Sequence, residues 1–112
     1  MTSIPFDVSV DRRPSVAILR LAGEVDRHSQ EQLDAAYAQS GDGGVVLDFS
    51  DVGYINSTGI AVIVGLLARA RAAGRQVRAY GLSDHYRQIF QITRIADFMA
   101  IFDNETEAVS TG

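Results

Sequence analysis

The chain has 112 residues, 46% hydrophobic and 21% charged, with a formal net charge of −4, an ordinary globular composition for one domain. Its ten basic residues are all arginines, and there is no cysteine. This excludes a Walker A phosphate loop, Schiff-base or other lysine chemistry, disulfides, thiolate nucleophiles and cysteine zinc sites. No basic run occurs, so no direct contact with nucleic acid is expected. The longest apolar run, Ile60 to Ala68, is well short of the roughly 20 residues of a membrane-spanning helix. The N-terminus carries Asp7 where a secretory leader would be apolar, so a cytoplasmic location with no membrane partner is expected.

In chain order, Phe6, Val8 and Val10 alternate with Asp7 and Ser9, the period-two pattern of a half-buried strand. Asp11 to Ser15, punctuated by Pro14, reads as a turn, and the mostly apolar Val16 to Leu21 as a more central second strand. Gly23 to His28 then leads to a helix near Ser29. There Ser29 and Gln32 have the spacing of a capping box, Leu33, Ala36, Tyr37 and Ser40 share a face, and Gly41 is the stop. Val45 to Phe49 is the near-continuous apolar run of a strand covered on both faces, followed by a loop over Ser50 to Asn56. From Ser57 a long helix follows, with Ile60, Ile63, Val64 and Leu67 at one-face spacing and Val62 and Leu66 widening that face. Gly74 ends it, and Gln76 to Tyr80 reads as a strand. Strand, helix, strand in this order implies a right-handed parallel crossover. Ser83 or Asp84 caps a further helix with Tyr86, Ile89 and Phe90 facing inward. Ala100 to Phe102 makes a short last strand, and Glu105 to Val109 a frayed final turn. The expected fold is α/β, a mixed, mainly parallel sheet flanked by about four helices.

The polar residues with chemical potential gather where the apolar strand meets the long helix. Asn56, Ser57, Thr58 and Gly59 sit at the helix start, where backbone N–H groups lack intrahelical partners. One reading makes Ser57 a plain helix cap. Against it, three capping side chains stand where one suffices, and no Glu or Gln follows three residues on. Gly59 also costs about 1 kcal/mol of helix propensity relative to Ala, while leaving the backbone open to close approach. A phosphate on Ser57 would meet unpaired N–H groups and the positive end of the macrodipole. A nucleophilic Ser57 would need His28 or His85 as base and Asp48 or Asp51 behind it, and GYINSTG lacks the elbow spacing of a serine hydrolase. Asp26, Asp48 and Asp51 are oxygen donors of the type that hold Mg²⁺, although at strand ends such carboxylates ordinarily face water or cap turns. Arg69, Arg71, Arg75 and Arg78 read as a solvated face whose charge complements the end of the helix dipole.

Two segments together carry a resemblance. Leu21-Ala22-Gly23-Glu24-Val25-Asp26 is similar to the L-x-G-E-L/V-D segment of STAS domains. Val46 to Val52 followed by Tyr54-Ile55-Asn56-Ser57-Thr58-Gly59 resembles their central signature, an acidic residue, a serine, Ser or Thr, and glycine at a helix start. Ile89-Phe90, Phe102 and Glu107-Ala108 are weaker matches, and the similarity spans about residues 4 to 110 of an expected single domain, 1–112. Within that family the chain looks like the small free-standing anti-sigma factor antagonists. The resemblance implies a switch rather than an enzyme: a module that binds a serine-kinase anti-sigma factor and so releases a sigma factor. Phosphorylation by that kinase falls on the serine corresponding to Ser57, and a serine phosphatase resets it. Asp26, Asp48, Asn56, Thr58 and Gly59 would shape the site and meet the partner. Asn56 stands where the signature is acidic; it keeps a capping side chain and loses a negative charge beside the hydroxyl. No metal or other cofactor is implied, and the expected state is a monomer or weak dimer. Two alternatives stay open: an unswitched STAS scaffold or adaptor in a stress-signalling complex and, more distantly, a small serine hydrolase.

Overall fold

A computed structural model describes residues 4–110. Over that range the chain forms a five-stranded sheet in the order β1 (Asp7–Arg12), β2 (Val16–Val25), β3 (Gly44–Ile55), β4 (Val77–Tyr80), β5 (Ala100–Phe102). β1 is antiparallel to β2, and the remaining neighbours are parallel. The crossovers carry α1 (Gln30–Ala38), α2 (Ser57–Ala72) and α3 (Asp84–Ile92), and α4 (Glu105–Ser110) follows β5. The fold class is the mixed, mainly parallel one expected from the sequence.

Strand periodicity sorts the side chains onto two faces. Leu19, Leu21, Val45, Leu47, Phe49, Val77 and Ala79 join Leu33, Ile63, Leu66, Leu67 and Phe90 in the main core, under α1, α2 and α3. Ile18, Val46 and Tyr80 point the other way and pack with Ala108 of α4. Three parallel crossovers with all their helices on one face is the arrangement that same-handed crossovers produce.

Several boundaries differ from the sequence reading. β2 runs on to Val25 and β3 to Ile55, where Ser50 to Asn56 reads from sequence as a loop. These extensions pair with each other, Gly23 opposite Val52, Glu24 opposite Tyr54 and Val25 opposite Ile55, across register shifts. Ser50, Asp51, Gly53 and Tyr54 are exposed on the projecting ribbon, and that polar composition resembles a turn until the partner strand is known. The α2 core face is also rotated. Val62, Ile63, Leu66, Leu67 and Ala70 are buried, whereas Val64 is 44% exposed, because a helix apolar on nearly all sides offers no single period to read. Ser29 does not form its expected box with Gln32. Its Oγ accepts the Asp26 N–H at 3.1 Å, while the Asp26 carboxylate accepts the His28 N–H at 2.8 Å.

α4 is a six-residue helix rather than a frayed turn. Arg20 donates to Glu105 at 2.9 Å and to Asp48 at 3.2 Å, and the Tyr80 hydroxyl donates to Glu105 at 2.9 Å. The Glu105 carboxyl is held below its ordinary value of 4.5, chiefly by Arg20 and then by the Tyr80 hydroxyl. Burial, reinforced by Glu105 and Asp48, pushes the Tyr80 hydroxyl up. A depressed carboxyl contributes stability that is complete above its unfolded value and lost as pH falls through the folded one. The Ala108 amide, bonded to Asn104 at 3.1 Å, should therefore stay protected at about pH 6 and lose protection progressively below about pH 4.5. Hydrogen exchange corrected for intrinsic rates measures this. Equal protection across that range would show that Glu105 does not hold α4 down.

Candidate functional site

The sheet delivers its two motif segments to one place. β2 ends at Val25 and β3 at Ile55, side by side and parallel, and α2 starts two residues later at Ser57. Val25 O accepts the Asn56 N–H at 3.2 Å, tying the strand ends together. Gly59, one turn into α2, is buried against the same carbonyl: a Cβ there would lie 2.0 Å from Val25 O and 2.6 Å from Val25 C. The helix start can rest directly on β2 only because position 59 has no side chain. Gly23 has a matching role upstream. Its φ is +84°, and a Cβ would meet Pro5 O at 2.2 Å.

Asn56, not Ser57, is the cap. Its backbone is extended, and its Oδ1 accepts the Gly59 N–H at 2.8 Å and the Thr58 hydroxyl at 2.8 Å. Capping is thereby satisfied without Ser57, which occupies the first helical position, exposed to solvent. Among the described residues, nothing hydrogen-bonds the Ser57 hydroxyl. Among the described residues, neither histidine hydrogen-bonds it. His28 lies in the short turn after Asp26, and the His85 ring stacks edge-on against Tyr86, centroids 4.9 Å apart. The Ser57 and Thr58 N–H groups belong to the first turn of a sixteen-residue helix, at its positive end, where intrahelical acceptors are lacking, a ready setting for an anion.

Tyr86 is a contributor that sequence reading took for a plain core residue. Its hydroxyl accepts the Ile55 N–H at 2.8 Å and lies 3.4 Å from Ile55 O, so α3 fixes the last residue before the cap. The signal was a tyrosine at an inward position where a phenylalanine would fill the space. Tyr86→Phe leaves the Ile55 N–H buried without a partner, and should cost roughly 1–3 kcal/mol in urea unfolding. A loss below about 0.5 kcal/mol, the low end for a net hydrogen bond, would mean that water replaces the hydroxyl.

The residues expected at the site divide. Asp26, Asn56, Ser57, Thr58 and Gly59 come together at the ends of β2 and β3. Asp48 does not. It lies eight residues back along β3, on the order of 25 Å away at strand rise. It is buried at 8% exposure, where it accepts Arg20 and the Ser50 N–H, the latter at 2.9 Å. Asp51 is exposed on the ribbon between them. Among the described residues, no group of three or more His, Asp or Glu side chains is placed to hold a metal.

The protein-family model for the MlaB-type STAS domain matches residues 8–101. The chain belongs to the STAS family. Among its STAS relatives is the anti-sigma-B factor antagonist of Listeria monocytogenes, 32% identical over 90 residues that cover 78% of this chain and 79% of that one. The anti-sigma F factor antagonist of Paenibacillus polymyxa is 23% identical over 94% of this chain and 93% of its own. Solved structures share the fold. Unphosphorylated SpoIIAA superposes with a TM-score of 0.70 at 24% identity, covering 94% of this chain and 93% of that one. An anti-sigma factor antagonist from Mycobacterium paratuberculosis gives 0.73 at 20% identity over 97% of each chain. The STAS segments quoted from the sequence, Leu21 to Asp26 and Tyr54 to Gly59, are therefore neighbours in space, paired along β2 and β3. Among the described residues, no helix is long and apolar enough to cross a membrane.

Proposed function

We propose that this STAS domain is an anti-sigma factor antagonist switched by phosphorylation of Ser57. One observation carries the reading: Asn56 supplies the helix cap, so the exposed Ser57 hydroxyl is left without an internal task. A serine-kinase anti-sigma factor would bind over the ends of β2 and β3 and the first turn of α2. Transfer of the γ-phosphoryl group of ATP to Ser57 Oγ, with ADP as the leaving group and the hydroxyl proton passing to a base of the kinase, would then end the complex. A serine phosphatase would restore the hydroxyl. Asp26, Thr58 and the exposed Tyr54 ring, 54% accessible, would frame the contact. Relatives named as anti-sigma factor antagonists support the assignment, and the regulatory rather than enzymatic role follows from it.

The second reading, an adaptor bound through the same surface without modification, is favoured by Asn56, which removes the acidic charge beside the hydroxyl. Intact mass after incubation with the cognate kinase and ATP separates the two. One phosphate is expected on the native protein and none on Ser57→Ala, with fragment spectra placing it on Ser57 rather than Thr58. A native protein that binds the kinase yet gains no phosphate would establish the adaptor. A Ser57→Ala protein that still gains a full phosphate would place the switch elsewhere.

A further inference from the structure

A groove lined by arginines lies at the opposite end of the sheet. Arg75 and Gln76 immediately precede β4, and Met99 precedes β5, so this edge gathers strand beginnings, whereas Ser57 follows strand ends. An open groove of about 780 Å³ runs there, and Arg71, Arg75 and Arg78 line it. Arg75 and Arg78 are buried, at 8% and 9% exposure. Arg75 donates to Gly43 O at 2.6 Å and Ser40 O at 3.3 Å, Arg78 to Ala108 O at 3.1 Å and the Gln76 side chain at 3.2 Å. Every one of these acceptors is neutral. Arg71 lies over the Phe98 ring, 5.1 Å from its centre, and Arg75 lies over the Tyr37 ring at 4.8 Å.

Among the described residues, none of the three arginines forms an ion pair; Arg12 and Arg27 also form none, whereas Arg13, Arg20, Arg69, Arg87 and Arg94 do. The one carboxylate lining the groove, Asp97, is bound to Arg94 at 2.8 Å. Burying a cation costs several kcal/mol unless an anion accompanies it, and each guanidinium has five N–H donors, of which carbonyl-type partners take two in Arg75 and Arg78. In a chain of net charge −4, three guanidiniums without a carboxylate partner along one groove are a local reversal of sign. The C-terminal end of α2 contributes about half a negative charge, too little to balance them. The Arg fork matches the oxygens of phosphate.

We propose that this groove binds a phosphate group, free or carried on a small ester whose body lies against Ala100 and Phe102. Amide chemical shifts of the full chain, titrated with sodium phosphate, with adenosine monophosphate and with sodium chloride at matched ionic strength, test it. Saturable shifts are expected at Gly74, Gln76 and Asp97 with a phosphate probe and not with chloride. Arg71→Gln and Arg78→Gln should each weaken binding about tenfold, the loss of one charge-assisted hydrogen bond. Arg71 is on the surface, so its variant stays informative if loss of the Arg78–Ala108 contact unfolds the other. Tighter binding of adenosine monophosphate than of phosphate assigns the groove to an ester, and equal binding assigns it to free phosphate. The proposal falls if neither probe saturates in the groove, if shifts are confined to the start of α2 at Asn56 to Ile60, if chloride does as well, or if Arg71→Gln binds like the native protein.

Discussion

Gly59→Ala should destabilise the protein by about 3 kcal/mol or more, the upper part of the range for overpacking a closed site. Helix propensity alone predicts the opposite sign, because Ala is better than Gly in a helix by about 1 kcal/mol. Contact geometry decides between them. The added methyl would sit 2.0 Å from Val25 O, 2.6 Å from Val25 C and 3.2 Å from Asp26 N, all backbone atoms that cannot rotate aside. Relief requires α2 to lift from the end of β2, which would break the Asn56 N–H bond to Val25 O. Gly65 on the same helix is the internal control, since a Cβ there meets nothing within 4 Å. Gly65→Ala should stabilise by up to about 1 kcal/mol through propensity and the unfolded state. Urea unfolding of both variants measures the pair. A Gly59→Ala protein as stable as the native one would mean that the strand end and the helix start are not in contact.

The order of elements was legible because apolar runs and breakers agree. Val45 to Phe49, Gly74 and Gln76 to Tyr80 mark a strand, a helix stop and a strand, the last of which begins one residue later, at Val77. Legibility failed where stability comes from a distant partner. Ser50 to Tyr54 carries two polar residues and a glycine in five positions, and only pairing with Ala22 to Glu24 makes it strand. The arginines at 75 and 78 read as solvated because arginine usually is, yet both are buried on carbonyl oxygens that sequence cannot locate. At the site itself, the local motif placed Asn56 to Gly59 at the helix start. The role of Asp26 depends on β2 ending beside β3, and that of Tyr86 on α3 packing under Ile55. Asp48 belongs to the motif by sequence but to the Arg20–Glu105 cluster in space.

Phosphorylation of Ser57 should weaken binding of the proposed anti-sigma partner by at least about a hundredfold, close to 3 kcal/mol, without lowering the melting temperature. The two halves of this expectation have different origins. Phosphate adds nearly two negative charges and three acceptor oxygens. Within the domain, these would sit at the first position of α2, near the Ser57 and Thr58 N–H groups, while Asn56 already holds the Gly59 N–H. An anion there gains about 0.3–1 kcal/mol, and up to about 2 where partly buried. The core side chains Val62, Ile63, Leu66 and Leu67 point away from it, so neither packing nor secondary structure has reason to change. Against a partner the balance reverses. A dianion pressed into an interface must be stripped of water, which is costly unless a cation meets it. The unmodified hydroxyl, small and neutral, carries no such penalty. Thermal scans and titration calorimetry on the two forms measure both halves. A phosphoprotein melting many degrees lower would show that the switch acts through the fold. One binding its partner as tightly as the unmodified protein would show that Ser57 lies outside the contact.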